Sequence, residues 1–253
     1  MSYTPSEIMV ARASRELKDG EVIFVGIGLP NLACNLARHL HAPNLVLIYE
    51  SGAVGAVPSR LPLSIGDPCL VTDSISVCSM VEVFNYYLQG GLIDVGFLGG
   101  AQVDRFGNIN STVIGNYDNP KVRLPGSGGA CEISIHAKKI IIILNQNNKT
   151  FPENIDFITS PGFINEENER SIYNMQGRGP ALVITDFGVY RFHNENFEMI
   201  LTEIHPGISL QKLKDTVSWD VKISSDLTTT HPPSKKELLI IREQLDPNRI
   251  HLR

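Results

Sequence analysis

Residues 21–52 read EVIFVGIGLPNLACNLARHLHAPNLVLIYESG, and the way apolar residues fall along this stretch decides the fold class. Glu21–Gly28 is a β-branched and aromatic run that empties into a glycine turn, the pattern of a buried strand. LPNLACNLARHL follows as a helix, and Pro30 suits its first turn because the missing N–H costs no bond there. A second strand-forming run, Leu45 to Tyr49, then stops at Glu50 and a Ser51-Gly52 turn. Strand, helix and strand in so few residues make a βαβ unit, which implies parallel pairing and a layered α/β fold.

The same theme extends in both directions. Thr4-Pro5-Ser6-Glu7 carries helix-start chemistry ahead of an apolar run at helical spacing. Ser76–Gly91 reads as a helix closed by Gly90-Gly91, Leu92–Gly100 as a strand, and Ala137–Leu144 as a strongly β-branched one. Pro180–His193 and Phe197–Gly207 suggest the two strands of a hairpin around Asn194-Glu195-Asn196. Ser209 and Ser234 are placed to cap two late helices, and Asn145–Asp156 reads as a loop. With no internal repeat and no linker rich in Pro, Gly or Ser, residues 1–253 are expected to form a single domain. Its expected class is α/β, an open and mainly parallel sheet with flanking helices.

The chain has 253 residues, enough for one large core or two small ones. Hydrophobic residues at 42 % and charged residues at 19 % describe an ordinary globular protein. A net charge of −5 gives no electrostatic reason to expect nucleic acid or an anionic membrane surface. No apolar run has the roughly 18–20 residues a bilayer crossing needs, and the first residues show neither a signal core nor transit-peptide composition. Cys34, Cys69, Cys78 and Cys131 include no CxxC pair, so reduced thiols and a cytoplasmic location are expected. His39 and His41 are two apart and the remaining histidines isolated, so no metal site is expected.

Four segments carry possible chemistry. Gly26-Ile27-Gly28 begins like a dinucleotide turn, but Asn31 stands where a third glycine is needed, which leaves either glycines used for strand-to-helix packing alone or a close backbone approach to some ligand at Gly28. Gly126-Ser127-Gly128-Gly129 permits backbone N–H groups to converge on an anion or oxyanion, and Pro125 removes the GxSxG pattern of a serine nucleophile. Gly99–Thr112 packs Gln102, Asp104 and Asn108 after a strand, either as ligand-binding groups or as a turn that satisfies itself. Glu50 is either a charge returning the chain to water or a catalytic carboxylate between small residues.

Taken together, FVGIGLP, YESGAVG, GGAQVDRFGNINSTVIGNYDNPK and PGSGGA, in this order and spacing, closely resemble the B (β) subunit of family I CoA-transferases. The resemblance covers nearly the whole chain, includes FITSPG and LVITDFGV, and is weakest after His205. Within the family it is strongest to the glutaconate CoA-transferase type, and there to chains acting on 3-oxoadipate. It implies the NagB/RpiA-like α/β fold, an A (α) subunit as partner in a heterotetramer or larger assembly, and acyl-CoA esters as substrates with no tightly bound cofactor. It also implies that Glu50 is the catalytic residue and that Gly128, with Gly129 beside it, lends backbone amides to an oxyanion. Gly28 and Gln102 are the further candidates for binding substrate. The expected reaction moves CoA from a donor such as succinyl-CoA to a dicarboxylic or 3-oxo acid such as 3-oxoadipate, by ping-pong glutamyl anhydride and glutamyl-CoA thioester chemistry. The alternatives are a glutaconate transferase, or a CoA-ester hydrolase or decarboxylase of the same family. Arg105, Lys121 and Arg123 are candidate partners for the acceptor's second carboxylate, though each is expected at the surface.

Overall fold

The computed structural model describes residues 1–165, 170–192 and 195–252. The chain forms two compact units, Met1–Phe97 with His231–Arg253, and Leu98–Thr230.

The first unit opens with α1 (Pro5–Ser14). Its cap is reciprocal, since Thr4 Oγ1 accepts from the Glu7 N–H while the Glu7 carboxylate accepts from the Thr4 N–H. The expected crossover follows as β1 (Val22–Phe24), α2 (Leu29–Leu40) and β2 (Val46–Ile48), with the two strands parallel and Phe24 opposite Ile48. Ile23, Leu32, Leu36, Leu47 and Ile48 are all 0 % exposed, so the crossover helix and its strands form one core. Each such side chain adds about 1.5–3 kcal/mol of burial.

Beyond β2 the chain reverses into β3 (Ala53–Val54) and again into β4 (Ser76–Val77), both antiparallel to their neighbours. A short helix, α3 (Met80–Glu82), widens into a π-type turn over Val83–Leu88 and leads to β5 (Val95–Leu98), which lies parallel to β1. The strand order is β5-β1-β2-β3-β4. The parallel strands β5, β1 and β2 stand together and an antiparallel hairpin extends them past β2, an open α/β arrangement. The helix expected from Ser76 is shorter than the sequence suggested. Ser76 and Val77 pair with β3, and Ser79 forms a capping box with Glu82 that fixes the start at Met80. Gly91, at φ +72, closes it as expected.

The second unit begins with two small hairpins, β6 (Gln102–Val103) with β7 (Ile109–Asn110) and β8 (Val113–Gly115) with β9 (Pro120–Arg123). After α4 (Ala130–His136) come β10 (Lys139–Ile143), β11 (Pro180–Ile184), β12 (Gly188–Arg191), β13 (Ile200–Ile204), α5 (Leu210–Lys214) and β14 (Lys222–Thr229). These five strands lie in the order β10-β11-β12-β13-β14, with parallel pairs at both ends and antiparallel pairs between. The run Pro180–His193, expected as one strand, is itself a hairpin. Thr185 Oγ1 accepts from the N–H groups of Phe187 and Gly188, each at 3.1 Å, and turns the chain back. Of the residues expected at the end of that run and in the loop after it, His193 and Asn194 lie outside the described residues. The mostly exposed β14 has no apolar run to announce it. Asn145–Asp156 is a loop, as expected.

The C-terminal segment returns to the first unit as α6 (Lys235–Leu239), capped by Ser234 and continued by a π-type turn over Ile240–Leu245. Two ion pairs fasten it to the N-terminal segment, Arg242 Nε to Glu7 at 2.6 Å and Arg15 Nη2 to Glu237 at 2.7 Å. Burial opposes ionisation of both carboxylates, but their hydrogen bonds to arginine and to the helix caps outweigh it and hold both below the ordinary glutamate range.

One contact sets the β2–β4 corner. Tyr49 N–H donates to Ala53 O (3.0 Å) and Gly52 N–H to Tyr49 O (2.9 Å), so Glu50 and Ser51 form the tip of a tight loop that ends on Gly52 at φ +108. A Cβ on Gly52 would lie 1.8 Å from the carbonyl oxygen of Cys78.

Gly52→Ala should therefore cost at least about 2 kcal/mol in urea denaturation, since strain and backbone overlap add; parent-like stability would mean that β4 does not sit here. Acid denaturation should read out the two glutamates. Their folded-state pKa values are depressed, so the stability they add is present above the unfolded value of about 4.5 and is lost as pH falls through the folded value. The Glu7→Gln, Glu237→Gln double variant should show a flatter loss of stability between pH 6 and pH 3 than the parent.

Candidate active site

The strand exits of β1 and β2 open side by side. Because the two strands are parallel neighbours and Val25 N–H still donates to Ile48 O at 3.1 Å, the Gly26–Gly28 turn and the Glu50 loop emerge at the same end of the sheet. Ligand crevices of open α/β sheets lie at this carboxyl end. The strand residues before Glu50 (Leu47, Ile48 and Tyr49) are fully buried, whereas Glu50 is half-buried. Its carboxylate has no hydrogen-bond or ion-pair partner among the described residues.

Tyr49 holds this loop from below. Its hydroxyl accepts from Asn31 Nδ2 at 2.8 Å, and Asn31 Oδ1 accepts from Asn35 Nδ2 at 2.9 Å, all within the core. Burial raises the tyrosine well above its ordinary pKa, so it stays neutral. Asn31, the residue that breaks the dinucleotide pattern, thus braces the strand that delivers Glu50. Gly28 caps α2 at φ +95, and nothing lies within 4 Å of where its Cβ would be. Glycine is needed there for backbone conformation, and the space beside it is open.

In the second unit the Gly126–Gly129 loop is braced on both flanks. Gly126 N–H donates to Ser111 O and Ser111 Oγ to Gly126 O, both at 2.8 Å. Ser127 Oγ accepts from the Cys131 N–H at 3.2 Å, and Ser127 O from the Ala130 N–H at 2.9 Å. The Ser127 hydroxyl therefore serves the turn into α4. Among the described residues the N–H groups of Gly128 and Gly129 have no partner, and the space around Gly128 (φ +48) is open.

Gln102 is buried, and its amide is largely committed. Its oxygen accepts from Asn110 Nδ2 (2.7 Å) and the Asp156 N–H (3.0 Å), and its nitrogen donates to Asp156 Oδ2 (2.8 Å). Its second N–H has no partner among the described residues. Asp104 and Asn108 satisfy each other and their own turn, since Asp104 accepts from the N–H groups of Phe106 and Asn108 and from Asn108 Nδ2. Burial pushes Asp104 up to about 6 against those bonds. Of the basic candidates, Arg105 pairs with Glu153, and Arg123 lies exposed over the Tyr117 ring, 4.9 Å from its centre. Lys121 is exposed as well.

The first unit thus brings Glu50 beside the Gly28 turn. The second links Gln102, through Asn110 and the adjoining Ser111, to the loop of Gly128 and Gly129. The roles of Asn31 and Cys78 were not read from the sequence. The first could have been suspected from a buried asparagine one turn before another, at Asn35; the second leaves no local signal. Among the described residues no three His, Cys, Asp or Glu side chains could share a metal ion, and no helix is long and apolar enough to cross a membrane.

Residues 6–216 match the family described as Coenzyme A transferase. The chain is 47 % identical over 241 residues to the β subunit of the 3-oxoadipate CoA-transferase of Pseudomonas knackmussii, covering 95 % of this chain and 93 % of that one. It is 33 % identical over 251 residues to the β subunit of the glutaconate CoA-transferase of Acidaminococcus fermentans, covering 97 % and 94 %. The solved structure of glutaconate coenzyme A-transferase from that organism superimposes with a TM-score of 0.93 at 32 % identity, over 100 % of this chain and 98 % of that one. With a matching family across most of its length and such a relative over nearly all of it, the chain belongs to the coenzyme A transferase family.

Proposed function

We propose that the chain is the β subunit of a heteromeric transferase that moves CoA from succinyl-CoA to 3-oxoadipate, with Glu50 as the covalent nucleophile. The observation that carries the reading is the Glu50 carboxylate, without a hydrogen-bond or ion-pair partner among the described residues, at the tip of a tight hydrogen-bonded loop. The 47 % identical relative, named for 3-oxoadipate, supports the acceptor. On this reading residues 1–253 act as one subunit, CoA esters enter as substrates, and an α subunit is the partner. The four free thiols accord with a reducing compartment, and the enzyme is assigned to the cytoplasm.

The chemistry needs a nucleophile that can also leave. Glu50 attacks the acyl-CoA carbonyl, the C–S bond breaks, and CoA thiolate departs from a mixed anhydride. The thiolate then attacks the glutamyl carbonyl, which releases the first acid as its carboxylate and leaves a Glu50–CoA thioester. The acceptor carboxylate attacks that thioester and expels the thiolate, which takes the new acyl group and frees Glu50. No step requires a proton transfer, which suits a carboxylate that no described residue hydrogen-bonds or pairs with. Each addition creates an oxyanion, and the reading assigns the free N–H groups of Gly128 and Gly129 to it.

Borohydride added with acyl-CoA should reduce the enzyme thioester and abolish activity, whereas a hydrolase using Glu50 as a base would survive the treatment. Glu50→Gln should lower kcat by on the order of 10⁴-fold, the scale of losing a covalent nucleophile, and Glu50→Asp should collapse turnover too. Near-normal transfer by either variant would remove Glu50 from the mechanism. Gly129 has φ −82, which proline tolerates. Gly129→Pro deletes one N–H and should cut kcat by about 10²–10³, with circular dichroism and melting temperature checking that the restraint it places on Gly128 at φ +48 leaves the fold intact; undiminished turnover would place the oxyanion on Gly128 alone.

A further inference from the structure

The first unit holds a cavity away from the Glu50 loop. It encloses about 490 Å³ between the second half of α2, the Val57–Leu61 segment and the turn over Ile240–Leu245, all within that unit. Small-molecule sites have about 300–1,000 Å³. Gly28, at the start of α2, stands beside the Glu50 loop, and Arg38 lies about 15 Å further along the helix, given its rise per residue. The cavity therefore sits at the far end of α2 from the nucleophile.

The chemistry of its wall is one-sided. Arg38, His39 and Arg60 line it, and among the described residues no aspartate or glutamate does. Arg60 brings its own counter-ion, because Asp67 accepts from it through two hydrogen bonds at 2.7 and 2.9 Å. Arg38 has none. Its Nη1 donates to Ala56 O at 2.9 Å, and it makes no other hydrogen bond and no ion pair among the described residues. The side chain is nonetheless half-buried, and burial draws the guanidinium below its ordinary pKa. A cation taken from water without a carboxylate beside it is costly.

The unused donors of Arg38 are not sealed in the core. Among the described residues, the buried polar side-chain atoms without a hydrogen bond are the hydroxyls of Ser14 and Ser160. Nε and Nη2 of Arg38 therefore reach accessible space, and the cavity it lines provides that space. Beside it, His39 Nδ1 lies 2.8 Å from Asn35 O, an atom that can only accept, so Nε2 is the ring's remaining polar atom. The rest of the wall is largely apolar, with Val57, Pro58, Leu61 and Leu245.

We propose that this cavity is a second ligand site, which takes a small organic anion with its carboxylate or phosphate on Arg38 and its apolar body against Val57, Pro58, Leu61 and Leu245. The two head groups offer the same chemistry, a pair of oxygens that a guanidinium meets with two parallel N–H bonds. The inference does not depend on the role given to Glu50.

Calorimetric titration of the full chain, alone and assembled with its α subunit, tests the assignment with hexanoate, phenyl phosphate and uncharged hexanol. The parent should bind one equivalent of an anionic probe, and hexanol at least tenfold more weakly; the tighter of the two anions identifies the head group. Arg38→Met removes the cation at similar side-chain length. Val57→Glu, at a residue 52 % exposed, sets a repelling charge on the wall. Each should weaken anion binding at least tenfold. Val57→Glu should also leave the melting temperature unchanged, so it carries the test if Arg38→Met loses stability with its bond to Ala56. Arg38→Lys keeps the charge without the fork and should bind between the parent and Arg38→Met. The assignment is overturned if neither anion binds the parent, or if Arg38→Met and Val57→Glu bind anions as the parent does. It is overturned too if hexanol binds as tightly as hexanoate, which would make the cavity a purely apolar cleft. Binding by the free chain that vanishes in the assembled enzyme also overturns it, because the cavity would then belong to the contact between subunits.

Discussion

At Gly52 the carbonyl oxygen of Cys78 occupies the place a side chain would take, so β4 can seat itself on β3 only where that residue is glycine. The same glycine supplies the positive φ that ends the Glu50 loop. One residue therefore satisfies two constraints, and the geometry around Glu50 follows from both. The loop is too short to wander, because its ends are joined by Tyr49–Ala53 and Gly52–Tyr49 hydrogen bonds. The natural reading of a small residue beside a nucleophile is room for the substrate. Here the room is taken by the protein's own backbone, and glycine serves the hairpin.

The carboxylates of the chain show how differently burial and partners can be combined. Asp104 is buried and pushed up to about 6, but its oxygens are occupied by the turn they organise. Glu7 and Glu237 are buried and held low by arginines that join the two termini of the first unit. A perturbed pKa marks structural work in all three. Glu50 differs from these in its surroundings: it is half-exposed, lacks a partner among the described residues, and stands on a loop braced through Tyr49, Asn31 and Asn35. A nucleophile that must bond first to an acyl group and then to CoA gains nothing from an ion pair it would have to break.

Local pattern made the βαβ crossover, the caps at Thr4, Ser209 and Ser234, and the Glu50 turn legible, because each is decided within a few neighbouring residues. The misread segments are those decided at a distance. Ser76-Val77 is a strand because β3 lies beside it, and nothing in SVCSMVEV says so. Pro180–His193 is the exception: it folds back because Thr185 captures the N–H groups two and three residues on, a local turn at Thr185-Asp186-Phe187-Gly188 set inside a longer strand-like run. β14 pairs along β13 with little apolar character of its own. At the site, Glu50 and the glycine loop could be named from sequence, but the commitment of Gln102 to Asp156 and Asn110 could not. Those partners are 54 and eight residues away.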